Sequence, residues 1–541
     1  MNVETLSRIQ FAVTASFHFV FPPMTIGLGL ILVIIQSIRV WTGQPFYLEL
    51  ARFWTKVFGL IFAIGVATGI PMEFQFGTNW AHYARFVGDI FGSPLAIEGI
   101  YAFFMESGFL ALLLFGWNKI GPKMHLFATC MVALGAHFSA IWILVANSWM
   151  QTPAGFHLAR QMKVTAGGEQ FPMSADLGNI AYTLKEIALP KGYIVQPEDL
   201  GHVRAVIDNF KEAILNPSTI DRLFHTVLAC WITGAFVVVA ISAWWLLRGR
   251  HVDYARASLK IAIAVAAIAC VLQMVEGDST ARGVALNQPT KLAALEGLDQ
   301  TRKEAPLGIV GWVSWKRDAD GQIIGVAEKS LHVPGMLSIL VSGDFLHPGK
   351  ASETKVKGLA ELPPDELLRA RHPGVSDADL GKLRPKYWPN APVLFQTYHL
   401  MIGLGVLLTL SALLGCWLWK TGKLWDTQSK FIRTFLGLLV LCPFMAQVAT
   451  QAGWFTAEMG RQPWIVYQVL KTGDAVSAVV RAPQVLASII LFFIIYLLLT
   501  ALFVSLLARK VHHGPNPADG VSPLPETWKP LSLRAERQTE D

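Results

Sequence analysis

Nine stretches of the chain are long and apolar enough to cross the hydrocarbon core of a membrane as helices. A crossing of about 30 Å needs roughly 20 residues in a helix. The approximate limits of these predicted spans 1 to 9 are residues 11–35, 53–72, 94–116, 124–146, 223–247, 258–276, 393–419, 431–450 and 484–508. The sequence therefore predicts an all-α polytopic membrane protein with nine transmembrane helices and two long loops on the outer side.

The composition supports this fold class. Hydrophobic residues make up 53% of the 541 residues and charged residues only 15%, whereas soluble domains carry about 25% charge. The net charge of +7 could suggest nucleic acid, but no basic stripe or binding motif is present, and basic residues at helix ends explain it better. The N-terminus lacks the basic region and cleavage site of a signal peptide, so span 1 is expected to stay in the protein.

The positions of Lys and Arg predict the orientation. Short connections on one side of the membrane are rich in them, whereas the short loop 78–93 on the other side offers only Arg85. Basic excess marks the cytoplasmic side, which puts the N-terminus outside and the C-terminus inside. The expected organisation is 1–146 (spans 1–4), 147–222 (a periplasmic loop), 223–276 (spans 5 and 6), 277–392 (a second outer-side loop), 393–508 (spans 7–9) and 509–541 (a disordered cytoplasmic tail).

Ionisable side chains in or beside the spans are the first functional candidates, because each needs a partner that lipid cannot supply. They are His18, Glu98, Glu106, His137, His225 and His399 within the spans, and Glu73 and Glu458 just beyond the ends of spans 2 and 8. Any one of them could be a structural polar residue inside the bundle. The five cysteines all lie in spans without CxxC or CxxCH spacing, so we expect no disulfide, zinc site, iron–sulfur cluster or covalent haem.

The predicted orientation gathers His18, Glu98, His225, Met401 and Glu458 near the outer face. Imidazole and thioether are typical axial ligands of haem iron, although a lone Met is more often a core residue. The residues alone leave two classes open: an oxidoreductase with buried metal ligands and a proton-coupled transporter.

Five motifs favour the oxidoreductase. They are GVATGIPMEFQFGTNW (65–80), SPLAIEGIYAFFMES (93–107), WILVANSWMQTP (142–153), GDSTARGVALNQPTKLAALE (277–296) and GWFTAEMGRQPW (453–464). Together they resemble subunit I of the cytochrome bd-type quinol oxidases, in the family's order along the chain. A redox-inactive assembly or sensor subunit would have lost ligands, and none that the family expects is missing.

The resemblance implies three haems. His225 and Met401 match the axial ligands of a low-spin haem b. His18 and Glu458 each match the ligand of a high-spin haem, one a haem b and the other a haem d or a further haem b, and either residue could hold the haem that binds O₂. Trp454 and Arg461 match neighbours of the Glu458 site, where Arg461 could pair with a haem propionate.

The resemblance also implies the reaction. Lys291 and Glu296 match a loop pair associated with quinol oxidation, although surface Lys and Glu are usually just solvated. Glu98 matches an acid beside the O₂-binding haem and Glu106 an acid of the proton path; an ideal helix would separate them by about 12 Å and roughly 80°. The implied enzyme oxidises quinol outside and reduces O₂ to water with cytoplasmic protons. It would generate a proton motive force in the bacterial inner membrane without pumping, together with a smaller subunit II and possibly a single-helix subunit.

Three departures from the family pattern are visible. His399 stands where the family usually has Arg, two residues before Met401. Unlike Arg, His can lose its proton, and it could compete as a haem ligand. The stretch 147–222 is longer than in the familiar members, and the quinol loop is shorter than the longest form in the family. Both differences leave the choice between ubiquinol and menaquinol, and the inhibitor sensitivity, open.

Overall fold

The structure, a computed structural model, describes residues 2–173, 175–178, 180–190, 193, 195–196, 199 and 201–515. Within these residues nine segments are long and apolar enough to cross a membrane, which confirms the predicted fold class. The helices are α1 (Val3–His18), α2 (Phe21–Thr42), α3 (Pro45–Thr78), α4 (Ala81–Phe86), α5 (Gly88–Ile97), α6 (Phe104–Phe115), α7 (Pro122–Gln151), α8 (Phe210–Ile214), α9 (Thr219–Arg248), α10 (Val252–Asn287), α11 (Pro289–Leu295), α12 (Met336–Ser342), α13 (Pro348–Ala351), α14 (Asp365–Arg371), α15 (Asp377–Leu383), α16 (Ala391–Lys420), α17 (Lys430–Met459) and α18 (Ala482–His513).

Span 1 is not the single helix that the sequence predicts. The chain turns at Phe19 and Val20, between α1 and α2. Pro22 and Pro23 lie in the first turn of α2, where the missing N–H of proline costs no helical hydrogen bond. With 22 residues, α2 is about 33 Å long and can cross the membrane alone. His18 therefore lies at a junction between two helices and not inside a continuous span.

Two further helices extend beyond their predicted limits. The prediction that Glu73 and Glu458 lie just beyond the ends of spans 2 and 8 is wrong, because α3 continues to Thr78 and α17 to Met459. Both glutamates thus lie on helices, and the helix geometry determines where each side chain projects.

Span 3 is interrupted by a π-helical turn. The order is α5, then a π-helix over Glu98–Phe103, then α6. A π turn bonds i to i+5 and changes the rotation per residue. The angle of roughly 80° between Glu98 and Glu106, which assumed a uniform α-helix, therefore does not apply.

Helix α9 lies at the centre of the bundle and packs against α2, α7, α10 and α17. Its contact with α2 is very close: a Cβ placed on Gly234 would lie 2.5 Å from the Cα atom of Gly27. Small residues allow two helix backbones to approach in this way. The glycine pair thereby fixes α9, which carries His225, against α2.

The two long stretches and the segment between α17 and α18 contain strands, which an all-α prediction does not include. The strands are β1 (Phe156–Thr165), β2 (Gln170–Pro172), β3 (Tyr182–Ala188), β4 (Val203–Ile207), β5 (Leu307–Arg317), β6 (Ile323–Val333), β7 (Trp464–Val466) and β8 (Leu470–Lys471). Strand β1 pairs antiparallel with β2, β3 and β4, while β5–β6 and β7–β8 form antiparallel pairs.

Both long stretches meet at one end of the bundle. The Gln288 side chain, at the end of α10, donates to the carbonyl of Gln151 at the end of α7 (2.9 Å). The backbone of Tyr467, which follows α17, bonds that of Met150 at 2.9 Å. The ends of α7, α10 and α17 are thus tied together. At the other terminus α18 continues to His513, so residues 509–513 are helical and not part of a disordered tail; residues 516–541 lie outside the described residues.

Candidate functional site

Glu458 is held by donors from α7 and from the turn that follows α17. Its Oε2 atom accepts a hydrogen bond from Arg461 at 2.5 Å. Its Oε1 atom accepts from the amides of Asn147 at 3.0 Å and Gln151 at 3.4 Å, both on α7. The carboxylate is one-fifth exposed. It is therefore fixed in position at the end of the bundle where the two long stretches meet.

Positive charge exceeds negative charge around Glu458. Arg222, in the first turns of α9, donates to Asn147, which in turn donates to Glu458. The guanidinium groups of Arg222 and Arg461 stay charged in proteins, so two cations face one carboxylate before Lys291 is counted. Among the described residues, Arg222 Nε and Arg461 Nε and Nη1 are buried without hydrogen-bond partners. Such donors fit an acidic ligand such as a haem propionate.

Sequence reasoning missed three residues of this cluster: Arg222, Asn147 and Gln151. The sequence could have identified Arg222 by its spacing. An arginine three residues before a candidate ligand on the same helix faces broadly the same way as that ligand. The two amides had only their place in the 142–153 motif.

Lys291 and Glu296 are buried, so the alternative that they are solvated surface side chains is wrong. Lys291 donates to Gln151 Oε1 at 2.8 Å and to Gln288 Oε1 at 2.6 Å. Burial, followed by repulsion from Arg222, lowers the pKa of the Lys291 amine well below its usual value. Through Gln151, Lys291 is joined to Glu458.

Glu296 ends α11 with only 3% of its surface exposed. Neither carboxyl oxygen has a hydrogen-bond partner that meets normal geometry among the described residues. Burial, followed by repulsion from Glu328, raises the pKa of Glu296 to about 8. The carboxyl is therefore mostly protonated at neutral pH and available to a ligand.

His18 lies beside the helix that carries Glu458. A Cβ placed on Gly69 would lie 3.1 Å from His18 Cε1, so the imidazole packs closely against the backbone of α3 at this glycine. On α17, the Gln451 amide donates to the carbonyl of Ser16 at 2.8 Å, and Trp454 stacks on Phe19 with ring centroids 5.4 Å apart. One helix thus contacts the His18 junction and carries Glu458.

His225 and Met401 lie on α9 and α16, which both pack against α10 and α17. The His225 Nδ1 atom is 2.5 Å from Glu276 Oε2 on α10. A Cβ placed on Gly453 of α17 would lie 2.8 Å from the Met401 sulfur. Glycine at position 453 therefore lets the Met401 sulfur lie close to the backbone of α17.

Glu98 and Glu106 both face α7. The Ser139 hydroxyl donates to Glu98, and a Cβ placed on Gly135 would lie 2.8 Å from Glu106 Cβ. Residues four apart lie on one face of a helix, so both carboxyls lie along the same side of α7. The Ser107 hydroxyl, a conceivable structural partner for Glu106, instead contacts the Phe104 carbonyl at 3.5 Å.

Two other candidate histidines are engaged by protein groups. His137 Nδ1 lies 2.7 Å from the Ala133 carbonyl, and Trp231 donates to its Nε2 at 2.9 Å. The nitrogens of His399 lie 2.7 Å from the Phe395 carbonyl and 3.1 Å from the Gly308 carbonyl of β5. His399 therefore joins α16 to the second long stretch, with both nitrogens occupied.

Comparison with known proteins identifies one family. Residues 6–176 and 187–515 match the sequence profile described as cytochrome bd terminal oxidase subunit I. The chain is 35% identical to cytochrome bd-II ubiquinol oxidase subunit 1 of Escherichia coli, over 96% of this chain and 99% of that protein. It is 33% identical to cytochrome bd ubiquinol oxidase subunit 1 of Bacillus subtilis, over 98% of each. Its fold is similar to a chain of the bd oxidase from Geobacillus thermodenitrificans, with a TM-score of 0.72 and 27% identity, covering 95% of this chain and 99% of that one.

Proposed function

The chain belongs to the family of cytochrome bd terminal oxidase subunit I, and from this membership we propose that it oxidises quinol at the outer face of a bacterial inner membrane and reduces O₂ to water. The observation that carries this proposal is the buried cluster in which Gln151 joins Lys291 to Glu458. Quinol and haem would meet there. The unpartnered guanidinium donors of Arg222 and Arg461 support a site for haem carboxylates.

The donor set fits haem. His225 and Met401 would ligate a low-spin haem b, while His18 and Glu458 would each ligate a high-spin haem. Trp454 and Arg461 would support the Glu458 site, since Trp454 packs on the His18 junction and Arg461 holds the carboxylate. Bound haem supplies one-electron redox chemistry at a six-coordinate His/Met iron and an open position for O₂ at a singly ligated iron.

The second long stretch would bind the quinol headgroup. A quinol must lose two protons as it gives up two electrons. Glu296, whose pKa is raised to about 8, can exchange protons near neutral pH, and burial lowers the pKa of Lys291 so that its amine gives up a proton more readily than a solvated lysine. Lys291 and Glu296 are buried away from bulk water, so the quinol protons would pass to protein side chains and not directly to solvent.

The protons consumed when O₂ is reduced to water would come from the cytoplasm along span 3. Glu106 would receive them and Glu98 would stand nearer the O₂ site, both against α7. Outer-side release and inner-side uptake of protons would separate charge without a pump. This scheme requires the N-terminus outside and the C-terminus inside, as the basic residues predict.

A smaller membrane subunit II is the expected partner, with a single-helix subunit as a further one. Helix α18 is consistent with such contacts or with lipid, because most of its apolar side chains are exposed.

The haem assignment is tested by His225→Ala and Met401→Leu in the purified complex. Each should remove the low-spin haem signal from the reduced-minus-oxidised spectrum and leave the high-spin signals largely in place, because the two residues would hold one iron. Met445→Leu, which changes a partly buried methionine packed on the core, is the matched control. Unchanged spectra in both ligand variants would refute the assignment.

A further inference from the structure

The candidate haem ligand His225 has a carboxylate directly behind its ring. Glu276 Oε2, near the outer part of α10, lies 2.5 Å from His225 Nδ1. Both side chains are largely buried, with 28% of His225 and 12% of Glu276 exposed. Sequence reasoning did not select Glu276, which it treated only as the last residue of span 6.

The carboxylate is itself held in place. The Thr280 hydroxyl, one turn along α10, donates to Glu276 Oε1 at 2.6 Å. Thr280, Glu276 and His225 therefore form a chain in which each group orients the next. The Gln273 amide nitrogen also lies 2.9 Å from His225 Nδ1. A protonated Nδ1 cannot accept from that N–H, so the pairing with Glu276 requires the Gln273 amide to turn its oxygen, which is buried without a partner, toward the ring.

This arrangement selects one ring nitrogen as the ligand. A carboxylate can only accept, so Nδ1 carries the proton and donates it to Glu276. The Nε2 atom then keeps its lone pair and points away from α10. Histidines that bind metals usually donate their second N–H to such a group, which fixes the tautomer and the ring and makes the ligand more basic.

We infer that Glu276 is the positioning residue of the low-spin haem site, orienting His225 for ligation through Nε2 and setting the reduction potential of that haem. The inference rests on the proposed function, specifically on ligation by His225. A carboxylate behind the imidazole makes Nε2 a stronger electron donor and adds negative charge, and both effects favour the oxidised iron.

Glu276→Gln tests this inference in the purified complex by potentiometric titration of the low-spin haem. The amide keeps the size of the side chain and loses its charge, so the haem should be retained and its potential should rise. We expect about a tenfold change in the one-electron equilibrium constant, which is 59 mV. Asp278→Asn is the matched control: it removes a carboxylate two residues along α10 that pairs with Arg282 at 3.0 Å and should give a smaller shift.

The outcomes separate the two proposals. If His225→Ala leaves the low-spin signal intact, the ligand assignment itself fails. If His225→Ala removes that signal but Glu276→Gln shifts the potential no more than Asp278→Asn does, only the role of Glu276 is overturned. Should Glu276→Gln lose the haem, Glu276→Asp is measured instead, because its shorter carboxylate cannot keep the 2.5 Å contact without a shift of the backbone. A potential unchanged from wild type in that variant would also overturn the role.

Discussion

Lys291 and Glu296 lie five positions apart, and both are buried, but different neighbours act on them. Arg222 and Arg461 repel the charged amine, whereas Glu328 repels the charged carboxylate. Burial disfavours the charged form of each. Both groups are thereby shifted toward their neutral forms. For Lys291 the shift favours loss of the ammonium proton, and for Glu296 it favours retention of the carboxyl proton.

Glu296 should give quinol oxidation a pH dependence. Its pKa is raised to about 8, so the carboxyl is protonated below that pH and cannot accept a proton, while above it the base form predominates. If Glu296 takes a quinol proton, the rate should rise with pH through about 8. In Glu296→Gln the rate should fall on the order of 10²-fold, as expected for loss of a general base, and this rise should vanish at unchanged haem content.

Glu328→Gln is the informative control for this prediction. It removes the charge that helps to raise the Glu296 pKa, so the rise in rate should move to lower pH and not disappear. A Glu296→Gln enzyme with the wild-type rate and pH profile would show that the carboxyl takes no part in quinol oxidation.

At the scale of helices, apolar length predicted where the chain crosses the membrane but not how each crossing is built. The turn at Phe19 and the π-helix over Glu98–Phe103 occur within continuous apolar sequence. A hydropathy profile detects neither feature, because both change the hydrogen bonding of the backbone and leave the apolar character of the side chains unchanged. The strands of the two long stretches were missed, although β1, β5 and β6 are 10 or 11 residues long, because apolar and polar residues do not alternate strictly along them.

At the candidate site the sequence identified the proposed ligands but not the side chains that hold them in place. The family resemblance pointed to His18, His225, Met401 and Glu458, each of which is a residue type that can bind haem iron. Asn147 and Glu276 emerged only from the structure. Each contacts a partner on another helix, 311 residues away for Asn147 and 51 for Glu276. A single sequence carries no record of such pairings.

Gly234 should be intolerant of even one methyl group. A Cβ at this position would lie 2.5 Å from Gly27 Cα, so Gly234→Ala must push α9 away from α2, at a cost of about 1–3 kcal/mol. Gly437→Ala on α17 is the control, since a Cβ there meets nothing within 4 Å. Thermal unfolding of the purified complex should show a lower Tm for the first variant alone, and equal values would contradict the close helix contact.

Across the whole molecule, different parts of the fold hold the residues proposed for quinol oxidation and those proposed for proton supply. The cluster around Glu458 depends on the ends of α7, α10 and α17, which hydrogen bonds tie together. The proposed proton path depends on α6 and the π turn, which pack along α7. Helix α7 therefore contributes to both, through Asn147 and Gln151 at its end and through Gly135 and Ser139 in its interior. A substitution that shifts α7 should therefore affect both quinol oxidation and proton supply.

Glu106 allows these two functions to be separated, because it contacts α7 far from the quinol cluster. Only 7% of its surface is exposed, and Glu106→Gln preserves its size while removing its ability to carry a proton. Quinol should still reduce the haems in this variant, but turnover with O₂ and excess quinol should fall on the order of 10²-fold, the usual scale for a lost proton-transfer group.

Glu49→Gln, at the opposite end of the bundle, where Glu49 accepts from Tyr254, is the matched control and should keep its turnover. Wild-type turnover of Glu106→Gln at full haem loading would exclude Glu106 from any obligatory proton path. Loss of haem together with activity would show instead that the carboxyl acts by holding span 3 against α7, because the amide would then have failed as a packing substitute and not as a proton carrier.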